Sequence, residues 1–428
     1  MDCTVFEAVE SRVRYYCRRF PVIFTRASGE HLWDADGREY IDLFAGAGSL
    51  NYGHNHAHLK ARLMAYLADD GIAHGLDMHT AAKGRFIEAF EAFAAARTRG
   101  KYRLMFPGPT GTNAVEAAIK LARKVTRRTA VGAFTNGFHG MTLGALAATG
   151  STSKRRGAGI VLSGVDRYPY DGYFGPETDT IALIERYLQD PSSGFDVPAA
   201  FVVETVQGEG GLNVASTAWL RRLTALCRRW GILLIVDDIQ AGCGRTGPFF
   251  SWEDAGIDPD IVCLSKSLSG FGLPLSMLMI REDIDQWQPG EHNGTFRGNN
   301  HAFVTAAAAL ELWDDPAFRA NQEALTAQLD RWIDETVAAL GSHGLAARGR
   351  GLMRGIATAG DEVADAICAE VFQRGVIVET SGPHGEVVKF MPPLTTRPDR
   401  LATALDHLSE AFASALATTP DTLPAMAG

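Results

Sequence analysis

Cysteine is scarce in this chain and never closely paired. The six thiols, Cys3, Cys17, Cys227, Cys243, Cys263 and Cys368, are scattered over 428 residues with no C-x-x-C pair. That spacing argues against a disulfide frame or a zinc ribbon, and for reduced thiols in a cytoplasm. Long apolar runs are missing as well. Stretches such as "AFVTAAAAL" fall far short of the roughly 20 residues a membrane helix needs. No basic block with interleaved aromatics occurs, and the formal charge is −9, from 50 acidic against 41 basic residues. Nucleic acid is therefore not expected as a partner. The N-terminal segment has no apolar core, and Asp2, Glu7 and Glu10 speak against a transit peptide. No internal repeat is found. The expectation is a soluble cytoplasmic protein that binds neither membrane nor nucleic acid.

What remains is an ordinary globular composition, 46% hydrophobic and 21% charged. The length suits one large domain with a satellite, or two linked domains. Residues 5 to 19 read as helical. "PVIFTRASGEHLWDADGREYIDL" then shows short β-like runs broken by turn residues, the pattern of a small antiparallel hairpin. From about residue 58 to 310, the apolar runs "AVGAF", "AAFVVET", "ILLIVDD" and "IVCLS" alternate with amphipathic helices. This predicts an α/β domain on a mostly parallel sheet. In "NAVEAAIKLARKV", Val115, Ala118, Ile119 and Ala122 fall on one helical stripe. Residues 316 to 340 predict a long helix ending at Gly341. A second, small α+β unit follows, with a helix near 361 to 374. The final "TTPDTLPAMAG" reads as a frayed tail.

The stretches that can carry chemistry stand at strand ends. "DIVCLSKSLSG" delivers Lys266, between two serines, straight from an apolar run. The plain reading is a lysine opening a surface loop; the sharper one is an amine nucleophile held in a site. "ILLIVDDIQAGCGRTG" ends five apolar residues at Asp237 and Asp238. In open α/β sheets, ligands bind beyond such strand ends. Two adjacent carboxylates repel unless a cation is near, and a metal or a protonated ring nitrogen would serve. A helix cap beside a solvated carboxylate is the alternative. Residues 242 to 247 fit G-x-G-x-x-G, but "DDIQA" separates them from the strand. A glycine-rich turn with positive φ is expected there, not a dinucleotide site.

"FPGPTGTNAVEAAIKLARKV" runs a turn at Gly108, Pro109 and Gly111 into a helix, with Thr110, Thr112 and Asn113 supplying hydroxyls and a cap. Such a helix start can hold phosphate, and plain capping explains the same residues. No Gly-Lys-Ser/Thr follows, so it is not a Walker loop. "NGFHGMTLG" sets Phe138 and His139 between glycines, against a planar ligand or as a core aromatic beside a turn. Glu204, Gln207 and Glu209 leave another strand end into a flexible glycine loop. Thr295, in "EHNGTFRGNN", is a further candidate phosphate contact. His54, His56 and His58 have no carboxylate or cysteine at ligand spacing and read as a polar loop. Jointly these stretches call for a ligand with a phosphate, a flat ring, a basic ring nitrogen and an electrophile for Lys266. Pyridoxal 5′-phosphate has all four.

In their order along the chain, "TGTNAVEAAIKLAR", "GFHGMTLG", "VETVQGEGG", "DDIQAGCGRTG", "LSKSLSG" and "GTFRGN" resemble the motifs of the class III, fold-type I aminotransferases. The resemblance covers nearly the whole length. It implies an α/β fold-type I PLP-dependent transferase. Residues 58–312 would form a large PLP-binding domain on a mostly parallel sheet, and residues 1–57 and 313–428 a small α+β domain built from both termini. It implies that Lys266 is the Schiff-base lysine and that Asp237 pairs with the pyridine nitrogen. Phe138 and Ile239 would sandwich the ring, with His139 among the cofactor contacts and Gln240 near the ring hydroxyl. Gly111 and Thr112 would hold the phosphate, and Thr295 would reach the phosphate of the neighbouring subunit. A homodimer or higher homo-oligomer follows, and no metal.

Within that class, "LFAGAGSLNYGHN", "DDGIAHGLDMHT", "PYDGYFG" and "GEHNGTFRGNN" are similar to the diaminobutyrate–2-oxoglutarate aminotransferases of ectoine, siderophore and peptide-antibiotic pathways. The similarity implies amino exchange between L-glutamate and L-aspartate 4-semialdehyde. Transaminases of ornithine, acetylornithine or 4-aminobutyrate are the alternative, followed by an aminomutase or decarboxylase of the same fold. Two departures stand out. Lys389 occupies the place where many relatives have the arginine that grips the α-carboxylate of glutamate, paired with the glutamate matched here by Glu209. A lysine offers a point charge where arginine offers a planar fork. Asp238 stands where relatives usually have glutamate.

Overall fold

The computed structural model describes residues 3–418. A seven-stranded sheet runs in the order Tyr102–Met105, Met277–Arg281, Ile261–Leu264, Leu233–Asp237, Ala200–Val203, Val131–Phe134, Val165–Tyr168. Met277–Arg281 is antiparallel to both its neighbours, and the other pairs are parallel. Every residue of Val131–Phe134, Ala200–Val203, Leu233–Asp237 and Ile261–Leu264 is buried. Strands covered by helices on both faces need such continuous apolar runs, which is why they were legible without alternation. The helix Gly111–Thr126 buries Val115, Ala118, Ile119 and Ala122 as expected, and Ala114, Ala117 and Leu121 besides. Its alanines let the helix sit close to the sheet.

Around this sheet the chain returns on itself. Phe24–Ser28, His31–Asp34 and Glu39–Asp42 form an antiparallel meander where a simple hairpin was expected. Its last strand pairs in parallel with Val376–Ile377, from the far end of the chain. A four-stranded sheet follows from Ala346–Arg350, Met353–Ala357, Val387–Phe390 and Glu379–Ser381. The long helix appears as Pro316–Ala339, capped by Asp315, and the shorter one as Asp361–Gln373. Residues 5 to 19, expected as one helix, form two short ones, Thr4–Val9 and Tyr16–Arg19. Neither buries a residue, and a helix without a buried face gains little from lengthening. The expected frayed tail falls on residues 419–428, outside the described residues. Among those described, no helix is long and apolar enough to cross a membrane.

The G-x-G-x-x-G run is a turn. Cys243, Gly244 and Gly247 have φ of 51°, 83° and 117°, and a Cβ on Gly244 would lie 2.6 Å from the Trp313 ring. Arg245 within it is fully buried and holds Asn51 Oδ1, Leu352 O and Pro392 O.

Candidate active site

The parallel pairing sets Asp237 opposite Cys263, so Lys266 emerges just past the end of the adjacent strand. The two flanking serines face away from it and fasten the turn. Ser265 Oγ donates to Leu275 O at 2.7 Å, and Ser267 Oγ donates to Gly48 O at 2.8 Å while accepting from Asn51 N at 3.0 Å. So held, Lys266 keeps φ at 49°, a left-handed conformation that costs a non-glycine residue of order 1–3 kcal/mol. Its side chain turns inward and is only partly exposed. Burial lowers the amine's pKa, with Glu209 pulling the other way. The surface-loop reading of this lysine does not hold.

The two aspartates part ways. Asp237 is 4% exposed; its Oδ2 accepts from His139 Nδ1 at 2.8 Å and its Oδ1 from Ile239 N at 3.3 Å. Asp238 is completely buried and turns to Ser251, which donates through its hydroxyl and, at 3.2 Å, through its backbone N–H. Burial pushes the Asp238 carboxyl up to about 7, which relieves the repulsion between neighbours. Neither residue is a helix cap beside a solvated carboxylate. Behind Asp237, burial opposes protonation of His139, yet the hydrogen bond and charge of Asp237 raise its pKa. Burial pushes Glu204 up to about 7 against the pull of His139. Glu204 does not enter a flexible loop: it accepts from Phe138 N at 2.9 Å and Gly208 N at 3.2 Å. The glycine loop it leads into is pinned, with Gln207 Nε2 on Thr135 O at 2.7 Å and Gly211 N on Ser381 Oγ at 3.2 Å.

Phe138 and Ile239 are both partly exposed, and Gln240 is buried. Gln240 Nε2 donates to Ala47 O at 3.0 Å and to Glu209 Oε1 at 3.3 Å, while its Oε1 is buried with no partner. The start of the helix Gly111–Thr126 adjoins Ile239: a Cβ on Gly111 would lie 2.9 Å from Ile239 Cδ1. Thr112 Oγ1 is 2.6 Å from Thr142 Oγ1, and Asn113 Oδ1 accepts from Thr110 N at 3.2 Å. First-turn N–H groups have no acceptor within their own helix.

Lys389 is completely buried, which its place in "VVKFMPPL" does not announce. Its ammonium meets Glu379 Oε1 at 2.7 Å, Glu209 Oε1 at 3.1 Å and Gly208 O at 3.3 Å. Despite the cost of burial, the two carboxylates hold its pKa above the ordinary lysine value. Burial opposes ionisation of Glu209, but Lys389, Lys266 and Lys154 bring its carboxyl down to about 2. Glu379 and Lys154 were not expected in the site. The first sits in a β-like run and the second in the charged "SKRR", where a solvated face is the natural reading. Thr295 is exposed and not brought to this cluster. His54 and His58 pair separately with Asp42 and Glu311, each at 2.8 Å.

The family model for the class-III aminotransferases matches residues 15–412. A diaminobutyrate–2-oxoglutarate transaminase of Halalkalibacterium halodurans is 52% identical over 97% of this chain and 98% of its own length. One of Nocardia farcinica is 55% identical over 96% and 94%. Among solved structures, the ornithine aminotransferase of Toxoplasma gondii superposes with a TM-score of 0.85 at 28% identity, covering 97% of this chain and 95% of that one. An amine transaminase from an uncultivated Pseudomonas species, in its PLP-bound form, gives 0.83 at 26%, covering 95% and 98%. The chain belongs to the class-III aminotransferases and has their fold-type I architecture.

Proposed function

We propose that this class-III aminotransferase uses pyridoxal 5′-phosphate to exchange an amino group between L-glutamate and L-aspartate 4-semialdehyde, giving 2-oxoglutarate and L-2,4-diaminobutyrate. The substrate assignment is supported by identities of 52% and 55% to transaminases named for diaminobutyrate and 2-oxoglutarate. The observation that carries the chemistry is the partly buried Lys266 amine beside Asp237 at neighbouring strand ends.

The residues present suit the cofactor. Gln240 Oε1, buried without a partner, is an acceptor for the ring hydroxyl. Asp237 keeps one oxygen on His139 and has capacity on the other for a protonated ring nitrogen. Gly111 leaves room where a Cβ would meet Ile239, and with Thr112 it stands at a helix start suited to phosphate. Phe138 and Ile239 are the two ring faces. Thr295, exposed on its own protomer, suits the phosphate of a neighbouring subunit, which makes a homodimer the minimal unit. When bound, the cofactor supplies an aldehyde for amine condensation and a protonated ring that withdraws electrons from the substrate carbon.

The chain's own groups do the rest. Lys266, its pKa lowered by burial, holds a larger neutral fraction than a solvated lysine and can take and return a proton at the substrate Cα. Asp237, 4% exposed and hydrogen-bonded to His139, offers its carboxylate to the ring nitrogen. Lys389, fixed between two carboxylates, keeps a permanent positive charge at the wall. The same reading divides the chain into a large unit, residues 58–312, and a small one from both ends, residues 1–57 and 313–428. It is supported by the pairing of Val376–Ile377 with Glu39–Asp42 and by a central sheet drawn wholly from residues 102 to 281. A cytoplasmic location accords with the thiols: among the described residues all are free.

The test is a donor and acceptor screen of purified protein with 2-oxoglutarate. Diaminobutyrate should yield glutamate with stoichiometric loss of 2-oxoglutarate, ahead of ornithine, acetylornithine and 4-aminobutyrate. A better rate with any of those would reassign the substrate. Conversion of the amine without loss of 2-oxoglutarate would replace transamination by a mutase or decarboxylase.

A further inference from the structure

Three lysines act on Glu209, and they are not equivalent. Lys266 is committed to the cofactor in the reading above. Lys389 is completely buried, donates to Glu209 Oε1 and Gly208 O, and has Glu379 Oε1 within 2.7 Å. Lys154 differs on both counts. Its side chain is 40% exposed, and its nearest carboxylate oxygen, Glu209 Oε2, stands at 3.9 Å, beyond hydrogen-bond reach. Its ammonium otherwise rests over the Phe138 ring, 4.4 Å from the centroid. Of these three lysines it is the most open to solvent, and it has hydrogens to spare. The Glu209 carboxylate itself spans the gap: Oε1 on Lys389 and Gln240, Oε2 leaning toward Lys154. A carboxylate entering from solvent meets the same field.

We propose that Lys154 is a substrate-binding residue whose ammonium receives one carboxylate of the dicarboxylate pair, glutamate and 2-oxoglutarate, and so sets the preference for two-carboxylate over one-carboxylate ligands. This rests on the functional reading above and deepens it. A point charge with three rotatable donors suits a carboxylate that arrives and leaves in every half-reaction. The site needs such a group because Lys389 is completely buried and already engaged by Glu209, Glu379 and Gly208 O. Phe138 gives Lys154 its position: the cation lies on the negative face of the ring, which holds it at the edge of the cofactor space without neutralising it.

The experiment compares Lys154→Gln and Lys154→Arg with the wild-type holoenzyme. Calorimetry measures binding of glutarate and of butyrate, and steady-state kinetics measures KM for 2-oxoglutarate and 2-oxobutyrate. Lys154→Gln should lower the glutarate-over-butyrate preference about tenfold, the size expected for one charge-assisted contact near a surface. The KM ratio should move with it, and Lys154→Arg should restore both. A purely supporting role, in which Lys154 only steadies Phe138, would weaken the two ligands alike and overturn the proposal, as would an unchanged preference. The position lies on the short surface helix Thr152–Arg156, so both variants should melt with the wild type. If the wild-type enzyme passes no amino group to 2-oxoglutarate yet shows the calorimetric loss in Lys154→Gln, the functional reading fails and only the carboxylate-binding role of Lys154 stands. If the wild type shows no glutarate preference, the assignment fails.

Discussion

Replacing Lys389 by methionine should leave the buried Glu379 and the partly exposed Glu209 without their shared cation. Methionine fills nearly the same volume, so the loss is electrostatic and not a cavity. Removing one partner of a buried ion pair costs about 3–5 kcal/mol. A second route gives a similar figure. Glu209 stands at about 2 against an ordinary 4.5, a displacement worth about 3 kcal/mol at 1.36 kcal/mol per pH unit, of which Lys389 is the leading cationic source. In the wild type this carboxylate stabilises above pH 4.5, and the contribution is lost as pH falls toward 2. In Lys389→Met the opposite sign dominates: burial already raises the Glu379 carboxyl, the lost cation no longer opposes it, and this group's contribution falls as pH rises past its ordinary value. Unfolding entropy of about 2.1 cal/mol/K per residue gives roughly 0.9 kcal/mol/K for 428 residues. The melting point should therefore fall by about 3–6 °C at pH 8 and by clearly less at pH 5. Adding Glu379→Gln to Lys389→Met should recover about half of the loss. Scanning calorimetry at the two pH values decides it. A melting point at pH 8 within about 1 °C of wild type, or a loss equal at both pH values, would refute the reasoning.

Three further outcomes follow from the same contacts. Asp237→Asn should weaken cofactor retention by roughly ten- to a hundredfold, the worth of a charged hydrogen bond, read by absorbance after dialysis. Ser267→Ala removes the acceptor of Asn51 N and the donor to Gly48 O; it should cost about 1–3 kcal/mol in urea unfolding and lower kcat by loosening the turn at Lys266. Gly210→Ala would set a Cβ 2.1 Å from Asn136 O, a backbone atom that cannot step aside cheaply, and should destabilise by about 1–3 kcal/mol in the same assay.

The parts of this molecule that could be read from the sequence are those fixed by short-range pattern. The run "ILLIVDD" announced a doubly covered strand because burial on both faces demands unbroken apolar residues. Its parallel neighbour "IVCLS" then placed Asp237 and Lys266 together, since consecutive parallel strands end on the same side. The stripe of Val115, Ala118, Ile119 and Ala122 needed only helical period. What escaped depends on residues far apart in the chain. Val376–Ile377 joins a sheet begun at Phe24, and no local pattern in "VIVETSG" names that partner. Glu379 and Lys389 meet because two strands of a late sheet pair in register, so a buried ion cluster was hidden in ordinary strand sequence. Asp238 looked like half of a charged pair; only the approach of Ser251 shows that it is buried and pushed toward neutrality. Lys154 offered no signal, since a lysine before two arginines ordinarily faces water.

The proposed activity depends above all on the amine of Lys266 meeting the cofactor's carbonyl. Purified protein loaded with pyridoxal 5′-phosphate, reduced with borohydride and digested, should carry the phosphopyridoxyl mass on the peptide containing Lys266, and the Lys266→Ala variant should fold, lack the adduct and turn over no substrate. An unmodified Lys266 peptide from fully loaded enzyme, or full activity in Lys266→Ala, would contradict it.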